Sequence, residues 1–483
     1  MRLRRLLDTA DVAAYALAHR GDAPVVDTGL QWVTRSADFS AVWLATGAAL
    51  ATTQGRAGRR AAARGLLAVA LTSALTNGPM KSLTRRPRPD NRLIPMDRIR
   101  HRTTRTSSFP SGHSASAAAF AVGASTELPA AALPLGAMAA LVAASRVRTG
   151  AHYPGDVLAG LAVGATVAWG TKRVWPVPPP EAELAHPGHP DPAQARETGK
   201  GVSVVVNPDA GPAFSAAPAD VLREQLPDLQ VVETEDGDLL GALARAVDGA
   251  EVIGAAGGDG SVNAAAALAL ERGLPLAVVP AGTLNHFARD IGLETVEDTV
   301  EAVRRGAVAK VDAGLIAGEV FLNTASLGSY VELVDARERL EGRIGKWPAV
   351  VVALARVLRT CPPVEIELDG VHRRVWMVFF GNCRYRPAGF APSWRERLDD
   401  DLVDVRVLDA AMPFARLRLL AGVLTGTLGR SRAYEQRTAR TVRVRSLQGP
   451  LRLARDGEVF DGPEEFEVTK ADEPLRVYAR PRS

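Results

Sequence analysis

Three blocks inside residues 81–156 decide how this chain is read: KSLTRRPRP at Lys81–Pro89, PSGH at Pro110–His113 and SRVRTGAHYPGD at Ser145–Asp156. Each sits at the end of a segment rich in Ala, Leu and Val. Together they gather two histidines, an aspartate, a lysine and several arginines at the ends of apolar segments. That is the inventory of a site built around a phosphate.

The chemistry explains why these residue types belong together. A phosphoryl group carries negative charge on its peripheral oxygens, and charge grows on the leaving oxygen as the bond breaks. Lys81, Arg88 and Arg146 supply cations for those oxygens, the arginines through two-pronged hydrogen bonds. Ser111 and Gly112 precede a helix expected from Ser114 onward, where unpaired backbone N–H groups and the helix dipole favour an anion. His152 is the candidate nucleophile, and Asp156, four residues on, is placed to hold its attacking tautomer. His113 is the candidate acid for the leaving alkoxide. This logic calls for no metal or other cofactor.

The pattern Lys, six residues, Arg-Pro; then Pro-Ser-Gly-His; then Ser-Arg, five residues, His, three residues, Asp resembles the type 2 phosphatidic acid phosphatase (PAP2) family. Lys81, Arg88, Pro89, Pro110, Ser111, Gly112, His113, Ser145, Arg146, His152 and Asp156 fill it in order. The resemblance implies a lipid phosphate phosphatase working through a phosphohistidine, with the roles given above. Soluble vanadium-dependent haloperoxidases share the signature and remain the alternative.

Outward from these blocks, the first 173 residues alternate between apolar and basic. Residues 6–35 read as a surface or interfacial helix pair. Apolar runs follow at Phe39–Thr53, Leu66–Met80, Ala115–Thr126, Ala130–Ala144 and Val157–Trp169. Each is short against the roughly 20 residues that span a bilayer, but their Ala and Gly content suits close helix packing. The expectation is an all-α membrane bundle over residues 1–173. The positive-inside rule puts Gln54–Arg64 and Lys172–Arg173 in the cytoplasm and the phosphate site on the outer face of the cell membrane. Across all 483 residues the net charge is only +4, which does not call for nucleic acid, and hydrophobic residues make up 47%, enough for sizeable cores. The two cysteines, Cys361 and Cys383, lack metal-ligand spacing.

Residues 174–200, rich in proline and small residues, read as an exposed linker, and its His186 and His189 as solvated rather than metal-binding. The composition then changes. Val202–Val206 reads as a buried strand ending in NPDAG at Asn207–Gly211. Glu251–Ala256 runs into GGDGSVN at Gly257–Asn263, with a helix expected from Ala264. Leu276–Val279 runs into PAGTLNHFARD at Pro280–Asp290. Strand, glycine loop and helix in repetition indicate an α/β layered domain. Gly257, Gly258 and Gly260 let backbone N–H groups approach phosphates, whereas Asp259 would repel a phosphate unless it holds Mg²⁺.

These loops, with NTASLG at Asn323–Gly328, DDLVDV at Asp400–Val405 and DGE at Asp456–Glu458, resemble the diacylglycerol kinase catalytic family across residues 201–483. The resemblance implies an α/β nucleotide-binding domain over 201–320 and a β-rich domain over 321–483. It implies ATP and Mg²⁺ held by Asn207, Gly257, Gly258, Asp259, Gly260, Gly282, Thr283 and Asn285. Glu458 would take the proton of a lipid hydroxyl, with Asp456 beside it. One position departs: many members carry Asp where this chain has His286, which leaves the cation site with Asp259 alone or shifts its support to Asp290. A kinase-like domain that only senses lipid or nucleotide therefore stays open. The arginines from Arg430 to Arg445 fit a strand face or a lipid headgroup surface equally.

Overall fold

The computed structural model divides into two units, Met1–Val177 and Pro178–Ser483. It describes residues 2–20, 24–36, 40–90, 106–177, 188–207, 217–235, 237–282, 285–344, 352, 356–357, 360–389 and 394–480.

The first unit is helical. α1 (Arg2–Ala18) and α2 (Pro24–Ser36) form the expected pair at the start of the chain, and α3 (Ala41–Thr53) meets α4 (Gly55–Leu75) across the single residue Gln54. After the first block come α5 (Gly112–Glu127), α6 (Ala132–Arg148) and α7 (Pro154–Val174). The basic stretch Gln54–Arg64 thus belongs almost wholly to α4. α5 is the hub, with Ala115, Ala117, Ala119, Phe120 and Ala124 buried in the core. Small residues let the backbones close up. A Cβ on Gly160 or Gly164 of α7 would run into the Ser111 or Ala115 carbonyl of α5, and one on Gly65 of α4 would press the Phe120 ring.

The helices alternate in direction, so the three sequence blocks share one end of the bundle. They follow α4, open α5, close α6 and open α7. The opposite end holds an ion pair. Arg64, fully buried, reaches Glu127 at 2.6 Å, Arg60 reaches it at 2.8 Å, and both guanidiniums lie over the Trp175 ring. Those two arginines share one carboxylate, Arg64 fully buried and Arg60 partly so, which weakens the topological signal read from Gln54–Arg64; Arg59, Lys172 and Arg173 remain exposed. Large apolar side chains face outward all along the helices, among them Leu67, Leu71, Leu133, Leu141, Leu158 and Trp169. Among the described residues one helical stretch, Pro129–Arg148, is long and apolar enough to cross a membrane, with mean hydropathy 1.6.

The second unit holds two large sheets. The first has the order His189–Pro190, Ala307–Val311, Leu475–Tyr478, Leu276–Pro280, Val252–Gly257, Val202–Val206, Gln230–Glu233. Its central strands are parallel and, like Val202–Val206, buried along their length, as a sheet covered on both faces requires. The final strand Leu475–Tyr478 returns from the β-rich part to insert here. The chain before the first strand docks here as well. His189–Pro190 pairs with Ala307–Val311, and Gln194 accepts a hydrogen bond from Tyr478. Of the expected linker, residues 188–200 are therefore packed on this sheet, while 174–177 end the helical unit; His189 is exposed at the sheet edge, and His186 lies outside the described residues.

The second sheet is antiparallel and eleven-stranded, centred on Val371–Asn382 and Val403–Asp409. The arginines at 437–445 lie on its outer face and pair across strands with Asp369, Asp401, Glu467 and Glu367. They form a solvated, charge-matched strand face.

Candidate active sites

In the first unit, Ser111 caps α5, its Oγ accepting from Ser114 N–H, so the helix begins at Gly112, two residues earlier than expected. The Lys81 ammonium lies 3.5 Å from where a Gly112 Cβ would stand. Lys81 also donates to Asn77. Burial and the nearby charges of Arg88 and Arg146 push its pKa down, the electrostatic mark of cations crowded together. Arg146 is buried, and its carbonyl accepts from both Ala151 and His152 N–H at 3.1 Å, which folds the loop that carries His152. Arg88 reaches the carbonyls of Ala151 at 2.9 Å and Thr106 at 3.2 Å. His113 is half-buried in the first turn of α5.

His152 is 2% exposed. Its Nδ1 lies 2.7 Å from the Ser108 carbonyl oxygen and 3.7 Å from Asp156 Oδ2. A carbonyl only accepts, so Nδ1 carries the proton and Nε2 keeps its lone pair. The attacking tautomer expected from Asp156 is thus held most closely by Ser108. Burial, with Arg146 and Arg88 nearby, pulls the imidazole down to about 4 against the opposing influence of Asp156. Asp156 is itself fixed: Oδ1 pairs with Arg86 at 2.7 Å and Oδ2 accepts from Tyr153 N–H at 3.0 Å. Arg86, quoted in the first block without a role, and Ser108, outside every block, are the contributions that spacing alone did not reveal.

In the second unit the strand Val252–Gly257 turns at Gly258 into a helix running Asp259–Arg272, so GGDGS is already the helix N-terminus rather than a loop ahead of it. The two glycine loops touch. A Cβ on Gly282 would strike the Gly258 Cα. Gly257 accepts from Ala281 N–H, and Asn207 N–H reaches Ala256. Asp259 Oδ1 accepts from Phe287 N–H at 3.3 Å and from Asn323 Nδ2 at 3.5 Å, while among the described residues its Oδ2 has no protein donor. A Cβ on Gly260 would run into the Glu458 carboxylate, so Glu458 stands directly against the glycine turn, exposed.

Other residues turn inward. Asn285 accepts from Gly282 N–H and donates to Gly282 C=O, both at 2.9 Å, which closes its own loop. Asp456 accepts from Leu322, Asn323 and Thr324 N–H and anchors the turn that presents Glu458; burial pushes its carboxyl up to about 6. Asp290, a candidate to support a cation, is bound by the buried Arg395, which also holds Asn323. Asn323 therefore links Asp259 to Arg395 and Asp456, a role its place in NTASLG did not disclose. His286 is exposed beside Asp259. Thr283 lies outside the described residues. Asp312, Cys383 and Asp400 bring metal-type donor atoms within 4.8 Å of one another, but Lys470 already bridges Asp312 and Cys383 and supplies the positive charge.

Residues 62–177 match the PAP2 superfamily model, and residues 201–316 match the diacylglycerol kinase catalytic domain model. The chain is 31% identical over 235 residues to a probable lipid kinase YegS-like protein of Pseudomonas syringae, covering 72% of that protein and 47% of this chain. The chain belongs to the lipid kinase family. Its kinase domain is also similar to a diacylglycerol kinase of Mycobacterium tuberculosis, 29% identical over 303 residues that cover 96% of that protein and 59% of this chain. The PAP2 domain is similar to the transmembrane PAP2-type phosphatidylglycerolphosphate phosphatase of Bacillus subtilis, 25% identical, covering 34% of this chain and 83% of the other with a TM-score of 0.28.

Proposed function

We propose that the chain is a bifunctional lipid enzyme of the membrane, a phosphatase over residues 1–173 and an ATP-dependent lipid kinase over residues 201–483, joined through 174–200. The observation that carries the phosphatase reading is His152: Nδ1 faces the Ser108 carbonyl, Nε2 keeps its lone pair, and Lys81, Arg88 and Arg146 converge around it. His152 Nε2 attacks the phosphorus of a lipid phosphomonoester or pyrophosphate, and the bond to the leaving oxygen breaks. His113 protonates that oxygen. Lys81, Arg88, Arg146 and the N–H group of Gly112 hold the peripheral oxygens; the Ser111 N–H, expected to join them, is taken by the Asp156 carbonyl at 2.9 Å. Water then attacks the phosphohistidine and releases phosphate.

The kinase reading rests on the contact between the two glycine loops and the placing of Glu458 against one of them. Backbone N–H groups at Gly257, Gly258 and Gly260, with Asn207 and Thr283 around them, receive the ATP phosphates, while the Gly282 N–H is held by Asn285, which shapes the second loop. The donor set fits a hard cation, since Asp259 Oδ2 has no protein donor among the described residues and stands at the helix start where the phosphates would lie. Asp259 would hold the Mg²⁺ that accompanies ATP and that neutralises the β- and γ-phosphate charge. Glu458 takes the proton of a lipid hydroxyl as it attacks the γ-phosphorus; the bond to the β,γ-bridging oxygen breaks and ADP leaves. The occupied state of Asp290 and the presence of His286 favour a second reading for this half, a nucleotide- or lipid-binding domain without turnover.

The outward Leu and Trp side chains of α4, α6 and α7 support burial of the bundle in lipid over a soluble, peroxidase-like body. Because the site and the exit at Val177 lie at opposite ends of α7, a crossing helix puts the phosphatase site on the outer face and sends the chain on into the cytoplasm, where ATP is available. Protease protection in sealed vesicles tests this, and cleavage of both halves from the same side overturns it. The decisive assay is transfer of labelled γ-phosphate from ATP to a panel of lipid alcohols by the His152→Ala protein, with Asp259→Ala as control. Label in one lipid that vanishes in the control establishes the kinase; ATP binding without transfer to any lipid establishes the second reading.

A further inference from the structure

The carboxylate partnered with His152 is held from a distant part of the chain. Arg86 Nη1 pairs with Asp156 Oδ1 at 2.7 Å, and Arg86 Nη2 pairs with Asp11 Oδ2 of α1 at 2.8 Å. The Arg86 guanidinium lies 4.6 Å over the Tyr153 ring. The other oxygen of Asp11 accepts from Gly155 N–H at 2.7 Å, so a residue of α1 caps the first turn of α7. A side chain at Gly155 would press that carboxylate at 2.8 Å. One residue of α1 thus fixes both the backbone next to Asp156 and the cation on its side chain. Without it Arg86 has somewhere else to go. A cavity of about 930 Å³, lined by Asp11, Arg86, Phe109, Tyr153 and Leu158, opens beside it.

We infer that Asp11 and Arg86 are positioning residues for the Asp156–His152 pair, so that α1 is part of the phosphatase site and its seating sets the readiness of the nucleophile. The inference rests on the phosphatase reading. The charged and titratable groups around the pair are Asp11 and Tyr15 from α1, Lys81, Arg86, Arg88 and Asp90 after α4, Arg146 from α6, and Tyr153. Arg86 draws on Asp156 and so weakens its hold on the His152 proton; Asp11 shares Arg86 and so moderates that draw. The two residues therefore act on the nucleophile with opposite sign.

The test is the pH dependence of kcat/KM for phosphate release from a short-chain phosphatidic acid in detergent micelles, with the full-length protein. Arg86→Gln is expected to cut kcat/KM about tenfold, as loss of an outer partner does, and to move the acid limb up by about one pH unit. Asp11→Asn is expected to move it down, and Asp11→Glu to restore both rate and limb. Opposite displacements establish the positioning role. Rate loss with an unmoved limb, or displacement of both variants in the same direction, overturns it and leaves α1 a merely structural prop. Absence of hydrolysis by the unmutated protein, with the lipid bound, overturns the phosphatase reading itself and this inference with it.

Discussion

The two candidate sites answer one problem, how to hold a phosphate, in opposite ways. The helical unit uses long cationic side chains brought by helix ends that share one end of the bundle. The α/β unit uses bare backbone at Gly258, Gly260 and Gly282 and surrounds it with carboxylates. A site made of Lys81, Arg88 and Arg146 brings its own positive charge. A site made of Asp259 and Glu458 stabilises a phosphate only with a cation between them. The difference teaches why one half reads as hydrolysis of a phosphoester by a protein nucleophile and the other as transfer from a metal-bound nucleotide. It also gives the most direct way to break the comparison. His152→Ala is expected to lower phosphate release by about 10³-fold or more and leave γ-phosphate transfer unchanged. Glu458→Gln is expected to lower transfer by about 10²- to 10⁴-fold, the range for a general base, and leave phosphate release unchanged. Loss of both activities in either single variant would refute two independent chemistries.

What was legible from the sequence follows the same division. In the first unit each proposed role sits in a short block whose ends are set by helix boundaries, so spacing carried Lys81, Ser111, Arg146 and His152 to one place. Spacing could not carry Asp11, whose partner Gly155 lies 144 residues away, nor Ser108, which acts through a backbone carbonyl that every residue type possesses. In the second unit the glycine loops were legible because only glycine allows Gly258 and Gly282 to touch. The side chains between them were not. Asn285 and Asp456 look like ligands in a motif, and in the structure they close turns, since a polar side chain next to an unpaired N–H satisfies that group first. The helix start at Asp259 was missed because GGDG is composed like a turn.

The contact between Gly260 and Glu458 sharpens the second half of the comparison. Gly260→Ala keeps helix propensity, even improves it, yet puts a methyl where the Glu458 carboxylate stands. The expected outcome is an unchanged or slightly raised melting temperature together with a loss of γ-phosphate transfer of about 10²-fold, as small displacements of a catalytic group cause. Unchanged transfer would remove Glu458 from the site.

Asp290 separates a stabilising carboxylate from a cation-binding one. Arg395 is fully buried at its side chain and Asp290 is its carboxylate partner. Asp290→Asn leaves a buried guanidinium without its counter-charge, which costs about 3–5 kcal/mol, so the kinase unit should unfold at markedly lower temperature or denaturant. A variant with unaltered stability and weakened Mg²⁺ dependence would instead restore Asp290 to the cation site. The matching experiment in the bundle is Glu127→Gln, which leaves Arg60 and Arg64 uncompensated at the end away from the phosphatase site; it should reduce stability without altering the pH profile.

The smallest effect is in the pH profile of the unmutated phosphatase, and its sign can be worked out. His152 attacks only when unprotonated. An ordinary histidine near 6.5 would lose about tenfold in its reactive form between pH 8 and pH 5.5. Burial beside Arg146 and Arg88 pulls His152 down to about 4, so the reactive form persists through that range and falls away only as the pH approaches 4. Because kcat/KM reports the free enzyme, phosphate release at pH 5.5 should stay within about twofold of its value at pH 7. The kinase half loses activity in the same direction but at higher pH. Asp456, pushed up to about 6 by burial, anchors the Glu458 turn through three N–H groups that prefer its ionised form, so γ-phosphate transfer should decline as the pH falls through 6. At pH 5.5 the phosphatase should therefore hold its rate while the kinase loses its own, and a fall of both together would show that His152 is not the buried, neutral nucleophile the site requires.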